Sequence, residues 1–340
     1  MRSTTRRRAK LSASTGAAIA LALVLAGCGN VTTSSSSPED KAAKFPDGPV
    51  TLVVGQSPGG STDLIARAVA DNASDALGAA IPVVNKPGAN GALATKEVAN
   101  AKPDGQTLIL LNASLITITP LAVSADEAVT LDDVDVITGI SQDDYVLVAN
   151  ADSKIKNFND LKNAKKRLNY GTTGVGTGSQ LSQALLFKSA GIDGTDVPFD
   201  GGSPTLTALL GNQVDVASIQ LGEAMPQIKA GKITPIVVFS EERNKYMPDT
   251  PTAIESGVDV AVSQYRAIAA PKGTPAPVLE KLRSAFKKAF ATDAYKQFNE
   301  KGLYTPTEVD GTEIKTNWTN YAKKYKELTE KFGISLGGGK

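Results

Sequence analysis

An apolar strand, a glycine-rich loop and a helix follow one another twice in this chain, and that repeated unit restricts the fold more than any other feature. Val50 to Val54 is a continuous β-branched run, the pattern of a strand covered on both faces. Gly55-Gln56-Ser57-Pro58-Gly59-Gly60-Ser61-Thr62-Asp63 follows. Ile65, Val69, Ala73, Ala76 and Leu77 then recur at helical spacing, with Ser61 or Thr62 suited to the N-cap and Asp63 to the first turn. In the second half, Leu168-Asn169-Tyr170 leads into Gly171-Thr172-Thr173-Gly174-Val175-Gly176-Thr177-Gly178-Ser179-Gln180, and a helix is expected over Leu181 to Ala190. A loop of this kind aims backbone N–H groups and the positive end of a helix at one point, which suits an anion. Two such units imply two α/β lobes facing a shared cleft.

Between and beyond these units the alternation continues. Strands are expected at Val83-Val84, Thr107 to Leu111, Val146 to Val148, Val197 to Phe199, Val214 to Ile219 and Ile236 to Phe239. Helices are expected at Leu93 to Ala99, Phe158 to Ala164, Leu279 to Ala291 and Asn317 to Phe332. Strands alternating with helices give sheets covered by helices.

The N-terminus says where such a chain works. Arg2, Arg6, Arg7, Arg8 and Lys10 precede an apolar run from Ala17 to Leu25, and Leu25-Ala26-Gly27-Cys28 closes it. This is the pattern of a secretory signal, with an apolar stretch shorter than the ~20 residues that span a bilayer. Cys28, the single cysteine, follows the small pair and is the acceptor position of bacterial lipoproteins. Two acyl chains there would hold the protein on a membrane, where one is marginal. Residues 1–27 are thus expected to be a lipoprotein signal and 28–44 an acylated cysteine with a Ser/Thr-rich tether. The functional part would stand on the outer face of the cytoplasmic membrane.

Composition excludes several chemistries. The chain has no histidine, so Ser-His-Asp and Cys-His catalysis lack their base. With one cysteine and no histidine, zinc sites of the usual kind are also excluded, and no metal or cofactor is expected. Lys plus Arg is 36 against 35 for Asp plus Glu, which gives no reason to expect nucleic acid. Gly174-Val175-Gly176-Thr177-Gly178 has its third glycine misplaced for a dinucleotide loop, and no Gly-Lys-Ser/Thr marks a nucleotide P-loop. Ser153 with Lys156 and Ser284 with Lys287 match the Ser–Lys spacing of penicillin-recognising enzymes, but the companion motifs are missing. Asp132, Asp133 and Asp135 lack the glycine and terminal glutamate of a calcium loop.

Several segments together resemble one family. They are Ser57 to Asp63, Asn85-Lys86-Pro87-Gly88-Ala89-Asn90-Gly91, Ala101 to Leu108, Asn169 to Gly176, Val197-Pro198-Phe199, Pro248 to Thr252 and Ala270 to Pro275. In order and spacing they resemble the substrate-binding component of tripartite tricarboxylate transporters, the Bug family. The resemblance implies a two-lobed periplasmic-binding-protein fold of the type II-like Venus-flytrap kind, each lobe a mixed sheet flanked by helices. Lobe 1 would be 45–144 plus 266–340, and lobe 2 would be 145–265. It also implies a receptor, not an enzyme, that takes a small carboxylate and delivers it to membrane transporter subunits, acting as a monomer. A sensory receptor for a membrane signalling partner would share the fold, and a secreted Ser/Lys hydrolase is the remaining alternative.

By this resemblance, ligand contacts fall on Ser57, Gly59, Gly60, Ser61, Thr62 and Asp63, then on Asn112 and Ser114. In the second lobe they fall on Thr172, Thr173, Gly176, Thr177, Gly178, Ser179 and Gln180. An aromatic near the second crossover also approaches the ligand in the family, and Tyr265 stands where the family usually has tryptophan. Gln180 replaces a usual histidine, and Asp200 stands where a lysine is usual. An aspartate facing the cleft would repel a di- or tricarboxylate.

Overall fold

A computed structural model describes residues 44–337. The signal segment, Cys28 and the tether up to residue 43 lie outside the described residues, as do residues 338–340. Among the described residues no helix is long and apolar enough to cross a membrane.

The first unit forms as the periodicity requires: β1 is Thr51–Val54, and α1 is Ser61–Leu77. The N-cap is Gly60 in extended backbone, and neither Ser61 nor Thr62 caps the helix. Both hydroxyls are drawn elsewhere, as described below. Next come β2 (Val83–Asn85), α2 (Ala92–Ala99), β3 (Thr107–Asn112) and the short α3 (Ala113–Thr117). β1 lies parallel to β2 and β3, and β3 runs antiparallel to β9 (Ser263–Pro271).

The second unit is β5 (Leu168–Thr172) and α5 (Gly178–Ala190). Around it lie α4 (Phe158–Lys162), β6 (Gly194–Pro198), α6 (Gly202–Leu210), β7 (Val216–Gln220), α7 (Leu221–Lys229) and β8 (Ile233–Val238). The C-terminal part is helical, with α8 (Ala276–Phe290), α9 (Asp293–Gly302) and α10 (Gly311–Phe332), and the short β10 (Thr305–Pro306) sits between the last two.

A single strand joins the halves. β4 runs over Val134–Asn150, whereas the sequence pattern marks only Val146 to Val148. Its first part, to Asp144, pairs with β9, and its second part, from Tyr145, pairs with β7 and β8. Register shifts between Val136 and Thr138 and between Gly139 and Ser141 blur the two-residue alternation in the first part. The strand order is β2-β1-β3-β9-β4-β7-β5-β6, with β8 and β10 also on β4.

Each half has its own apolar packing. α1 and α8 cover one face of the first half through Ile65, Val69, Leu282 and Phe286, all fully buried. Leu181, Leu185 and Leu186 of α5 pack with Leu147 and Phe239 in the second half. α10 does not stay in the first half. Ile314 and Trp318 pack with Leu111 and Ala267, while Tyr325 and the following Leu336 pack with the α5 cluster. The C-terminal part thus packs against both halves.

Candidate functional site

The carboxyl ends of the parallel strands and the starts of the helices that follow them converge at the seam between the halves, the usual place for a ligand in an open α/β sheet. From the first half come the starts of α1 and α3, and from the second the starts of α5, α6 and α7.

Below the start of α1 lies Arg266 of β9, fully buried, with its guanidinium fork aimed at the loop. Nη1 pairs with Asp143 Oδ2, Nη2 donates to Ser61 Oγ at 2.9 Å, and Nε donates to Thr62 Oγ1 at 3.2 Å. These donors fix the hydroxyls. Ser61 Oγ turns its hydrogen to Asp143 Oδ2 at 3.0 Å, and Thr62 Oγ1 turns its hydrogen to Asn112 Oδ1 at 3.3 Å. Each hydroxyl has one hydrogen to give. Neither is therefore free to donate to a ligand in this arrangement, and what this loop presents is backbone N–H. The Ser61 N–H already has an acceptor: Glu223 Oε1, from α7 in the opposite half, at 2.9 Å.

Asp63 faces inward. Its carboxylate accepts from the Gly59 N–H at 2.9 Å, Asn85 Nδ2 at 2.9 Å and Arg67 Nε at 3.1 Å. Burial pushes its carboxyl up, but hydrogen bonds from Arg67, the Gly59 N–H and Asn85 outweigh this and hold it below the usual range. Asp63 shapes the Gly59–Gly60 turn and reaches across to β2. Ser57 carries no hydrogen bond of its own among those described and sits half-buried in the loop.

The second loop is wired to itself. Thr177 caps α5, accepting from the Gln180 N–H at 3.3 Å and donating to the Gly174 carbonyl at 2.7 Å. Ser179 Oγ donates to the Ser218 carbonyl at 2.6 Å and accepts from the Thr173 N–H at 3.1 Å. Gln180 accepts from the Gly176 N–H at 2.9 Å and donates to Asp196 Oδ2 at 2.7 Å and to the Leu336 carbonyl at 3.2 Å. Gly178 packs on the Tyr145 ring, where an added Cβ would lie 2.6 Å from Cε2. Thr172 Oγ1 is buried with no hydrogen-bond partner among the described residues.

Other contacts besides Ser61–Glu223 bridge the seam. Asn90 Nδ2 and Thr119 Oγ1, from the first half, donate to the Gly176 carbonyl at 3.3 and 3.0 Å. Gly176 has φ 71°, and a side chain there would press within 2.9 Å of the Thr119 Cα. Asn90 also donates to Ser114 Oγ at 3.2 Å, which brings the expected Ser114 into the same cluster.

Among the described residues, no side-chain hydrogen bond ties Asp200 or Tyr265 to either loop. Asp200 is exposed just before Gly201, the N-cap of α6. Tyr265 lies on the opposite face of β9 from Arg266, half-buried. Its ring stacks on Tyr321 of α10 with centroids 5.0 Å apart, and Tyr321 Oη donates to Tyr265 Oη at 3.2 Å. Of the Ser–Lys pairs, Lys156 donates to the Ala151 carbonyl while Ser153 Oγ bonds the Ile155 backbone, so no nucleophile and base meet there.

Arg266, Asp143, Glu223, Asn90 and Thr119 escaped sequence reasoning. Asn90 fell inside the quoted Asn85–Gly91 segment, but its contacts are with residues distant in sequence. Arg266 and Asp143 face each other only because β4 and β9 pair, and no local pattern reports that register.

The fold and the converging helix starts define a two-part binding protein. The chain matches the model of the tripartite tricarboxylate transporter family receptor over residues 65–334, and it belongs to that family. It is 31% identical over 299 residues to the Cupriavidus necator protein described as the UPF0065 protein in the gbd 5′ region, covering 87% of this chain and 90% of that one. The periplasmic binding protein BugD is 28% identical with a TM-score of 0.79, covering 86% of this chain and 99% of its own. MatC from Rhodopseudomonas palustris, solved with bound malate, is 29% identical with a TM-score of 0.77, covering 84% of this chain and 99% of its own. The family is one of extracytoplasmic solute receptors that serve a tripartite transporter, and its members are not enzymes.

Proposed function

We propose that this chain captures a small dicarboxylate of the malate kind between two lobes and delivers it to a membrane transporter, anchored as a monomer by an acylated Cys28. Lobe 1 is built on 45–144 and the segment from 266, lobe 2 on 145–265, with α10 running from one to the other. The observation that carries this reading is the meeting of the α1 start with α7 across the seam, where a backbone N–H of one half already holds a carboxylate oxygen of the other at 2.9 Å. Helix starts stabilise anions through unpaired N–H groups and the helix dipole. The Gly59–Asp63 and Gly176–Gln180 loops supply backbone donors, and Asn112, Ser114, Thr172 and Thr173 line the approach. Asp200, exposed near the start of α6, sets the charge of the mouth and disfavours highly charged ligands.

Protein freed of co-purified ligand is titrated calorimetrically with malate, succinate and citrate. Malate or succinate is expected to bind saturably and more tightly than citrate. Ligand at a hundred times its Kd stabilises the fold by about 2.7 kcal/mol, which raises the melting temperature measurably. No heat and no thermal shift with any of the three would reject the reading. Fatty-acid labelling of wild type but not of Cys28→Ala tests the anchor.

A further inference from the structure

Glu223 occupies the place where a ligand carboxylate would be expected to go. It lies in the first turn of α7, and its Oε1 accepts the Ser61 N–H at the start of α1. Its Oε2 is shielded from solvent and has no hydrogen-bond partner among the described residues. Gly202, the first residue of α6, borders the same carboxylate, and an added Cβ there would overlap Oε2. The side chain is thus enclosed between the starts of two helices from opposite halves, as a bound anion would be.

The charges around it leave little room for another anion. Asp143 reaches Ser61 Oγ, Glu223 reaches the Ser61 N–H, and among the described residues Arg266 is the one guanidinium bonded to Ser61. Burial pushes the Glu223 carboxyl up, against the pull of the Ser61 N–H and of Arg266. A second carboxylate at the same N–H would add like charge in a poorly solvated place, which costs far more than at the surface.

We propose that Glu223 is a built-in ligand mimic, which holds the α1 anion position in the ligand-free protein and which a ligand carboxylate must displace to bind there. This rests on the receptor reading. Its consequence is that Glu223 sets affinity as an internal competitor: it holds the halves together when no ligand is present and raises the concentration of carboxylate needed to load the site.

Two substitutions separate the competitor from a merely structural glutamate. Glu223→Gln keeps the size and a carbonyl acceptor but removes the charge. Gly202→Ala keeps Glu223 and places a methyl group where Oε2 sits, so the carboxylate is pushed out. Malate affinity is measured by calorimetry on wild type and both variants, each checked by thermal melt. Loss of a charge-assisted bond in favour of a neutral one is expected to tighten malate binding about tenfold in Glu223→Gln, and Gly202→Ala should shift affinity in the same direction. If one variant fails to fold, the other still decides. The Ser61 amide resonance of ligand-free protein, followed by NMR, should move upfield in both variants and return downfield on adding malate. Equal or weaker malate affinity in the folded variants, or a Ser61 amide unmoved by either substitution, would overturn the proposal. Absence of heat from malate, succinate and citrate with all three proteins would instead sink the receptor reading itself.

Discussion

The two glycine loops look alike in sequence and are held in different ways. The loop before α1 is tied to distant parts of the chain: Arg266 and Asp143 fix Ser61, Asn112 and Arg266 fix Thr62, and Glu223 caps the Ser61 N–H. The loop before α5 is held by near neighbours, through Thr177 on Gly174, Ser179 on Thr173 and Gln180 on Gly176, and by Ser218 and Asp196 of its own half, with Asn90 and Thr119 reaching its Gly176 carbonyl from the first half. A hydroxyl in the first loop therefore reports on the joint between the halves, and one in the second reports on the loop and its seat within its own half. In both, a side chain from the first turn of the helix accepts from a backbone N–H of the loop, Asp63 from Gly59 and Gln180 from Gly176.

The largest effect separating the loops is expected at Arg266. It has no solvent exposure and neutralises Asp143 while serving both hydroxyls of the first loop. Arg266→Met leaves a buried carboxylate unpaired, and chemical denaturation should show a loss of about 3–5 kcal/mol. Adding Asp143→Leu should recover a substantial part of that loss. A single mutant as stable as wild type would show that the first loop does not depend on this pair.

Ser179→Ala is the matching test in the second loop. It removes the acceptor for the Thr173 N–H and the donor to the Ser218 carbonyl. Leaving such groups without partners costs about 1–3 kcal/mol, measurable by the same denaturation. Malate affinity should fall only as far as the loop loosens. A large affinity loss with unchanged stability would mean that this hydroxyl touches ligand directly, and the contrast between loops would fail.

The smallest effect is the acid dependence of the first turn. The native carboxyl of Asp63 is held below the usual range, so its contribution is present above the unfolded value of about 3.9 and is lost as pH falls through the native value. Wild type should therefore lose stability on acidification more steeply than Asp63→Asn below about pH 4. Parallel curves would show that the aspartate is not what secures the Gly59–Gly60 turn.

Much of this was legible in the chain. β1 and α1 announced themselves by a change of hydrophobic period from continuous to helical, and α2 and β3 by the reverse change. The glycine loops were visible because Gly and Ser/Thr cluster between those periods. What was hidden depends on pairing across sequence distance. The first part of β4 reads irregularly because register shifts interrupt its alternation, and β9 is recognisable only beside it. The two loops of the candidate site were visible in the sequence, but the bonds of their hydroxyls were not, because Arg266 and Glu223 approach from elements far along the chain. The cap of α1 shows the same limit: Ser61 and Thr62 are good caps by type, yet a glycine holds that position because both hydroxyls are engaged by the joint.

The central claim is that backbone N–H groups at the helix starts on both sides of the seam hold a carboxylate. Titrating isotopically labelled, ligand-free protein with malate while following the assigned amides tests it most directly. Saturable shifts of Ser61, Thr62, Gly178 and Ser179 with one common Kd are predicted. Saturable binding that leaves those four amides unmoved and shifts a group elsewhere would contradict the account.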